Sequence, residues 1–244
     1  MRGSIGLIAT GVLVLALASG CTFGRGRLRG NGRLTEFEKN VKGYSHIVCE
    51  GSAKVTVNQN GEYGVTVIVE ENLADYVKVQ VLGDTLHLGW KSTAAFKSLM
   101  ATRGLEFIVN MDQIESLRTS GSGDIEASVV EGKYVELRSS GSGDITVDAL
   151  SCNELKVGMS GSGEIEVEGK CEEQEIRISG SGAYDGSSLR SDKAKVSTSG
   201  SGKARVWVRD TLEARTSGSG DISYRGNPRV DSHSSGSGRV TSID

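Results

Sequence analysis

The sequence is short of the side chains from which catalytic and redox centres are usually assembled. Of 244 residues only 3 are histidine, and His46, His87 and His233 stand far apart in the chain, whereas a catalytic serine needs a base and an orienting group beside it. His87 alternates with Leu86 and Leu88, the pattern of an exposed strand residue. Only 4 residues are cysteine, and no pair has the Cys-x-x-Cys spacing of a thioredoxin-like dithiol or a structural zinc site. No Gly-rich stretch combines the lysine and hydroxyl of a P-loop between a strand and a helix. An excess of one charge is missing too: 28 basic and 31 acidic residues are mixed along the chain for a net charge of -3, which leaves no broad cationic footprint for nucleic acid. The apolar run from Ile5 to Ala18 is too short and wrongly flanked for a membrane span.

What that run does fit is export. Arg2, the run itself and the ending Leu17-Ala18-Ser19-Gly20-Cys21 make residues 1–20 an export signal with a small-residue processing site. Leu-Ala-Ser-Gly-Cys resembles the bacterial lipobox. The resemblance implies cleavage before Cys21, acylation of that cysteine and partnership with membrane lipid; several acyl chains at about 0.8 kcal/mol per buried methylene suffice for stable anchoring. Thr22 is not the aspartate that the same resemblance would associate with inner-membrane retention, so outer-membrane attachment is expected. Residues 21–32, rich in Gly and Arg and without an apolar period, read as a lipidated tether whose basic residues lie near anionic lipid. Export also permits disulfides among Cys49, Cys152 and Cys171.

The dominant feature is an internal repeat. Ser-Gly-Ser-Gly recurs with first glycines at Gly121, Gly141, Gly161, Gly180, Gly200, Gly218 and Gly236, spaced 20, 20, 19, 20, 18 and 18 residues apart, a period of solenoid size. A flexible Gly/Ser linker would not show the alternation around each marker. Ile125 and Ala127, Ile145 and Val147, Ile165 and Val167, Ala204 and Val206, and Ile222 and Tyr224 follow four and six residues after a first glycine. Leu155 and Val157, Ala194 and Val196, and Leu212 and Ala214 precede one. Period-two alternation places them inward on short strands. A unit of this length is too short for a strand and a full crossover helix, which take about 30 residues. The expected fold is therefore all-β, a parallel β-solenoid with coils of about 18–20 residues, over residues 107–244.

Residues 33–106 have strand grammar as well: Val55 and Val57, then Val65, Val67 and Val69, then Val77, Val79 and Val81, with a turn at Gly83-Asp84. Gly51-Ser52-Ala53-Lys54-Val55 matches Gly121-Ser122-Gly123-Asp124-Ile125 in spacing, so this region is expected to be continuous with the solenoid. Phe96, Leu99 and Met100 are candidates to cap its core. In-register stacking would also align Glu136, Lys156, Glu175, Lys195 and Glu213 into an exposed ladder of alternating charge.

The entry Leu34-Thr35-Glu36-Phe37, the segment Glu71 to Val79, the Gly83-Asp84-Thr85-Leu86 turn and the Ser-Gly-Ser-Gly-Asp-Ile units resemble the bacterial DUF2807 family, the head GIN domain of auto-transporter adhesins, over about residues 34–226. The resemblance implies a right-handed parallel β-helix in an envelope lipoprotein, with no catalytic residues and no cofactor to transfer. Ala183, Tyr184 and Asp185 depart from the unit and leave the register after Gly182 open.

The functional expectation is a non-catalytic envelope module for adhesion, structure, or binding of an envelope protein or polysaccharide. The alternative is a carbohydrate-active β-helix enzyme, which rests on fold analogy and on paired carboxylates. Asp124, Asp144 and Glu164 share one offset in consecutive coils. They either form a cation-binding ladder suited to calcium or splay into water beside Arg118, Arg138, Arg177 and Arg215. Cys152 and Cys171 stand nine residues before Gly161 and Gly180, a register at which a disulfide staple and two inward thiols are both open.

Overall fold

In the computed structural model, residues 26–92 and 98–243 are described; the export signal, Cys21 and Phe96 lie outside them. The first part of the chain runs through β1 (Arg27–Arg29), β2 (Leu34–Lys39), β3 (His46–Gly51), β4 (Lys54–Gln59), β5 (Gly64–Glu70), a 3-10 helix (Glu71–Tyr76), β6 (Val77–Leu82), β7 (Thr85–Trp90), β8 (Ser98–Met100) and β9 (Glu106–Met111). The repeats follow as β10 (Ser116–Gly121), β11 (Asp124–Ala127), β12 (Val130–Gly141), β13 (Ile145–Gly161), β14 (Glu164–Gly180), β15 (Ala183–Gly200), β16 (Lys203–Gly218), β17 (Ile222–Arg225), β18 (Arg229–Gly236) and β19 (Val240–Ser242).

The repeats coil into a parallel β-solenoid. The strand segments ending at Gly121, Gly141, Gly161, Gly180, Gly200, Gly218 and Gly236 pair in turn, all parallel and with those glycines in register. Past the corner, Ile125, Ile145, Ile165, Tyr184, Ala204, Ile222 and Val240 stack in register on a second face. Val130, Leu150, Gly169 and Leu189 align on a third. Side chains alternate in and out along each strand, so every coil contributes a few apolar groups to one continuous core, in which Ile125, Ile145, Ile165, Leu137, Leu155 and Ile176 are all buried. No coil could bury that surface alone. The register survives the departure at Gly182: Glu164, Ile165 and Glu166 lie opposite Ala183, Tyr184 and Asp185.

The N-terminal region continues the same stack. β3 pairs with β10, placing Gly51 opposite Gly121, and β4 pairs with β11, placing Val55 opposite Ile125. Next to them β7 and β9 add a further parallel layer on β3 and β4. The chain direction then reverses: β5 runs antiparallel to β9, β2 to β5, and β6 to β7. The 3-10 helix buries Leu73 under this layer. Reversal and helix together close the end of the core, where open parallel edges would template pairing with other chains. Leu99 packs against the core, but Met100 is 48% exposed and takes no part in closing it. At the other end β18 is exposed along its length, and its core-side positions are Val230 and the polar Ser232 and Ser234.

The described part of the segment read as a tether is strand. β1 pairs in parallel with β8, and the Gly30 N–H donates to the Met100 carbonyl at 2.9 Å. Arg-Leu-Arg carries no apolar period; backbone pairing supplies the order.

Candidate functional site

Each corner uses two glycines for two reasons. Gly141 has φ +143°, and a Cβ there would lie 2.1 Å from the Gly121 carbonyl oxygen of the coil below. Gly143 has no such dihedral, but its Cβ would meet the Gly123 carbonyl at 2.1 Å. The coils approach so closely that backbone sits on backbone. The two serines of each marker point the other way: Ser140, Ser160, Ser179 and Ser199 on one side of the corner, and Ser142, Ser162, Ser181 and Ser201 on the other, are exposed. The outcome is a double column of hydroxyls stepping at about the inter-strand distance of 4.8 Å.

The acidic ladder has a structural duty. Asp124 Oδ1 accepts the Asp144 N–H at 3.0 Å, Asp144 Oδ1 accepts the Glu164 N–H at 2.7 Å, and Asp221 Oδ1 accepts the Arg239 N–H at 3.1 Å. At each of these corners the glycine carbonyl that the N–H would otherwise meet also accepts a hydroxyl. Thr119, Ser139 and Thr216 donate inward hydroxyls to the carbonyls of Gly123, Gly143 and Gly220. Where the inward residue is Met159, the carbonyl is free and the Ala183 N–H takes it directly at 3.1 Å. Thus the Asp in Ser-Gly-Ser-Gly-Asp answers the hydroxyl two residues before the first glycine. Among the described residues no group of three or more His, Cys, Asp or Glu side chains is disposed to hold a metal ion.

The arginines do not serve that ladder. Arg118 and Arg138 both bind Glu136, the latter at 2.7 Å from Nε to Oε1, while Arg177 binds Glu175 at 2.6 Å and Arg215 binds Glu213. Glu136 is also not exposed, retaining 8% of its surface. Burial would push its carboxyl up, but the Arg138 and Arg118 guanidinium groups outweigh that and hold it below the usual carboxylate range. The column Glu136, Lys156, Glu175, Lys195, Glu213 is in register. Most of its ion pairs nevertheless run two residues along a strand rather than across the ladder; Lys195 with Glu213, at 3.7 Å, crosses it.

Cys152 and Cys171 are register partners on β13 and β14. Both are free thiols in this structure, as is Cys49, which is buried. The neighbouring Cys152 thiol, together with burial, pushes the Cys171 pKa up. Nearby, Tyr184 takes the core position held by isoleucine in preceding coils. Its hydroxyl donates to Gln174 Oε1 at 3.0 Å, Gln174 Nε2 donates to Ser191 Oγ at 2.7 Å, and Ser191 donates to the Trp207 carbonyl at 3.1 Å. Gly186 makes room, since a Cβ there would lie 2.6 Å from the Tyr184 oxygen. This buried chain is closed, with every polar atom partnered.

Two of the three histidines, His46 and His87, lie beside carboxylates. His46 Nε2 lies 3.5 Å from Asp84 and 3.6 Å from Glu115. His87 is half-buried rather than exposed, and its Nδ1 lies 3.1 Å from Glu50, which also binds Lys78. Glu70, at the closed end, was not singled out by any motif. It is fully buried, and its carboxylate accepts the Thr102 hydroxyl at 2.5 Å and the N–H groups of Thr102, Gly32 and Arg103 at 2.7, 2.7 and 3.4 Å. Burial alone would raise its pKa, yet these donors bring it down to about 2. Glu70 thereby fastens the strand that leads back towards Cys21 onto the body.

Residues 43–228 match the family model DUF2807, described as "Putative auto-transporter adhesin, head GIN domain". The chain belongs to the DUF2807 family. Its solenoid is similar to solved structures of a putative lipid binding protein from Parabacteroides distasonis ATCC 8503, with 26% identity, a TM-score of 0.76 and coverage of 89% of this chain and 100% of that one, and of a putative adhesin from the same organism, with 26% identity, a TM-score of 0.70 and the same coverages. A putative adhesin from Bacteroides fragilis NCTC 9343 shares the fold at 20% identity, with a TM-score of 0.83 and coverages of 88% and 100%. No curated protein matches. The DUF2807 chain has no helix, among its described residues, long and apolar enough to cross a membrane.

Proposed function

We propose that the protein is a non-catalytic cell-envelope lipoprotein, anchored through acylated Cys21 in the outer membrane, whose solenoid serves as an adhesion surface for an envelope protein or polysaccharide. The observation that carries this reading is the double column of exposed serines, from Ser120 and Ser122 to Ser235 and Ser237, held in register by backbone stacking. Such a column offers a repeating polymer many weak, equivalent hydrogen bonds, and equivalent sites on one rigid body gain from effective concentration. Membership of an adhesin-named family supports the same reading. So do the inward hydroxyls of Thr119, Ser139 and Thr216, which are spent on glycine carbonyls.

Binding of the protein to isolated envelope polysaccharides and surface proteins, followed by surface plasmon resonance, tests the proposal. Replacing Ser140, Ser160 and Ser179 by Glu should weaken capture at least about tenfold, about 1.4 kcal/mol, by removing three of the hydroxyls that meet the polymer. Capture that ignores this change refutes the serine surface as the binding face. Release of reducing ends or unsaturated sugars during binding refutes the non-catalytic reading. Within the same proposal, Cys152 and Cys171 form an inter-coil disulfide when an oxidised small-molecule disulfide takes up their two electrons and two protons and leaves as two thiols.

A further inference from the structure

We propose that the closed N-terminal end of the solenoid is a membrane-contacting foot that lies on an anionic lipid surface. The inference rests on the lipid anchor at Cys21 and adds to it the face that the body turns towards the membrane.

Three segments meet over the buried Glu70 carboxylate: residues 26–34, 70–72 and 98–104. Glu70 binds Gly32, Thr102 and Arg103. Asn72 ties the first segment twice more, accepting the Asn31 N–H at 3.0 Å and donating to the Arg29 carbonyl at 2.9 Å. β1 lies beside β8, so that Arg29 stands opposite Met100. On the outside of this bolted layer are the exposed Arg27, Arg29, Arg33 and Arg103. None of them forms a salt bridge among the described residues, whereas most arginines of the repeats are paired with carboxylates. Glu71 is the one exposed carboxylate in the three segments. Among the arginines stand two of the chain's exposed large apolar side chains, Leu34 at 55% and Met100 at 48%. Unpaired cations around a few apolar groups match the chemistry of an anionic bilayer interface, where the cations meet headgroup phosphates and the apolar groups enter the acyl boundary.

Chain length keeps this end close to the bilayer once the anchor is in place. The steps from Cys21 to Arg27 span at most about 20 Å even fully extended. From Arg27 onward the chain is fixed to the body by β1 and Glu70. A lipid on Cys21 therefore holds this end, and no other, against the membrane, and the solenoid axis carries the serine columns away from it.

The test uses the chain from Cys21 onward, produced without acylation; it contains every residue whose contacts are described above. Co-sedimentation with vesicles of phosphatidylglycerol and phosphatidylcholine should show salt-sensitive binding, and vesicles of phosphatidylcholine alone should bind weakly. Changing Arg29, Arg33 and Arg103 to Ser should weaken binding about fivefold per arginine, the equivalent of about 1 kcal/mol for each basic residue at an anionic surface. The Lys203→Ser change, in a distant coil, should leave it unaltered. An unchanged β-sheet circular dichroism spectrum would show that the triple variant still folds. Equal binding to both vesicle types, or equal loss from Lys203→Ser, overturns the foot. Fatty-acid labelling of the full chain in bacteria, abolished by Cys21→Ala, tests the anchor separately: labelling without vesicle binding removes only the foot, and vesicle binding without labelling removes only the anchor.

Discussion

Glycine at position 141 is demanded both by a positive φ and by the carbonyl of Gly121, whereas Ser140 beside it points into water. Gly141→Val should therefore destabilise the fold by about 3 kcal/mol or more, combining backbone strain with a clash that must push two coils apart. Ser140→Ala should stay within about 0.5 kcal/mol. Equal shifts in thermal unfolding would contradict the steric account. The neighbouring hydroxyl and carboxylate make a subtler case. Asp144→Ala hands the exposed Glu164 N–H to water, at a cost of about 0.5–1.5 kcal/mol. Adding Ser139→Ala frees the Gly143 carbonyl to accept that N–H, as Gly163 accepts the Ala183 N–H beside Met159. The double variant should then be less destabilised than the sum of the singles by about 1 kcal/mol, a coupling that a thermodynamic cycle in urea reads directly. The spacing of Asp124, Asp144 and Glu164 was legible from the sequence. The duty of Asp124 and Asp144 was not, because it depends on which acceptor the next coil's N–H finds; above Glu164 that N–H, of Ala183, takes the Gly163 carbonyl instead.

Strands show which patterns carry through to structure and which do not. Ile145 and Val147, or Leu155 and Val157, announce buried positions by period-two alternation, and they are buried. The degenerate unit Gly51 to Val55 was recognisable by spacing alone, although Ala53 and Lys54 replace Gly and Asp. In contrast β1 has no apolar period, and Glu70 looks like any strand-end glutamate; both depend on backbone donors drawn from remote segments. Glu136 was read as exposed because alternation gives direction and cannot show two arginines folded over it. The Glu70 latch predicts a pH response. Its folded pKa of about 2 lies below the usual 4.5, so the unfolded or detached state binds the proton more readily. Its contribution is complete above about pH 4.5 and fades as pH falls towards 2. The NMR signals of the Gly32 and Thr102 amides should move across that window in the parent protein. In Glu70→Gln the same amides should be weakly bonded already at neutral pH and change little on acidification. At β13 and β14, oxidation should add the Cys152–Cys171 bond, closing a loop near the size for which about 3 kcal/mol is expected. Nonreducing mass spectrometry on protein prepared without reductant would show a loss of two hydrogens, and Cys171→Ser should abolish both the mass change and the gain in melting temperature.

The whole molecule is a one-dimensional stack closed at one end, and this governs how it should tolerate change. Stability in such a stack is a sum of coil terms and neighbour interfaces, so register matters more than length. Removing residues 142–161 joins Gly141 to Ser162 and restores Ser-Gly-Ser-Gly, leaving one coil fewer. The shortened chain should fold, with a parent-like β-sheet spectrum and a lower melting temperature. The new interface brings Glu136 beside Glu175, where Lys156 had stood between them. Like charges across strands cost about 0.2–1 kcal/mol, and the in-strand partners Arg138 and Arg177 lessen that cost. Removing residues 142–151 instead joins Gly141 to Cys152. The corner glycine then has no Ser-Gly to follow it, the inward residues of β13 lose their partners, and the chain should fail to fold cooperatively. The shortened but in-register protein should keep its binding to anionic vesicles, because the foot lies at the closed end and shares no residue with the missing coil. Its capture by a polymeric envelope ligand should fall, because the serine columns are one step shorter. Two deletions in one region, differing only in whether they respect the repeat, thus separate the stacking that makes the fold from the two surfaces proposed on it; equal tolerance of both deletions would refute the in-register solenoid itself.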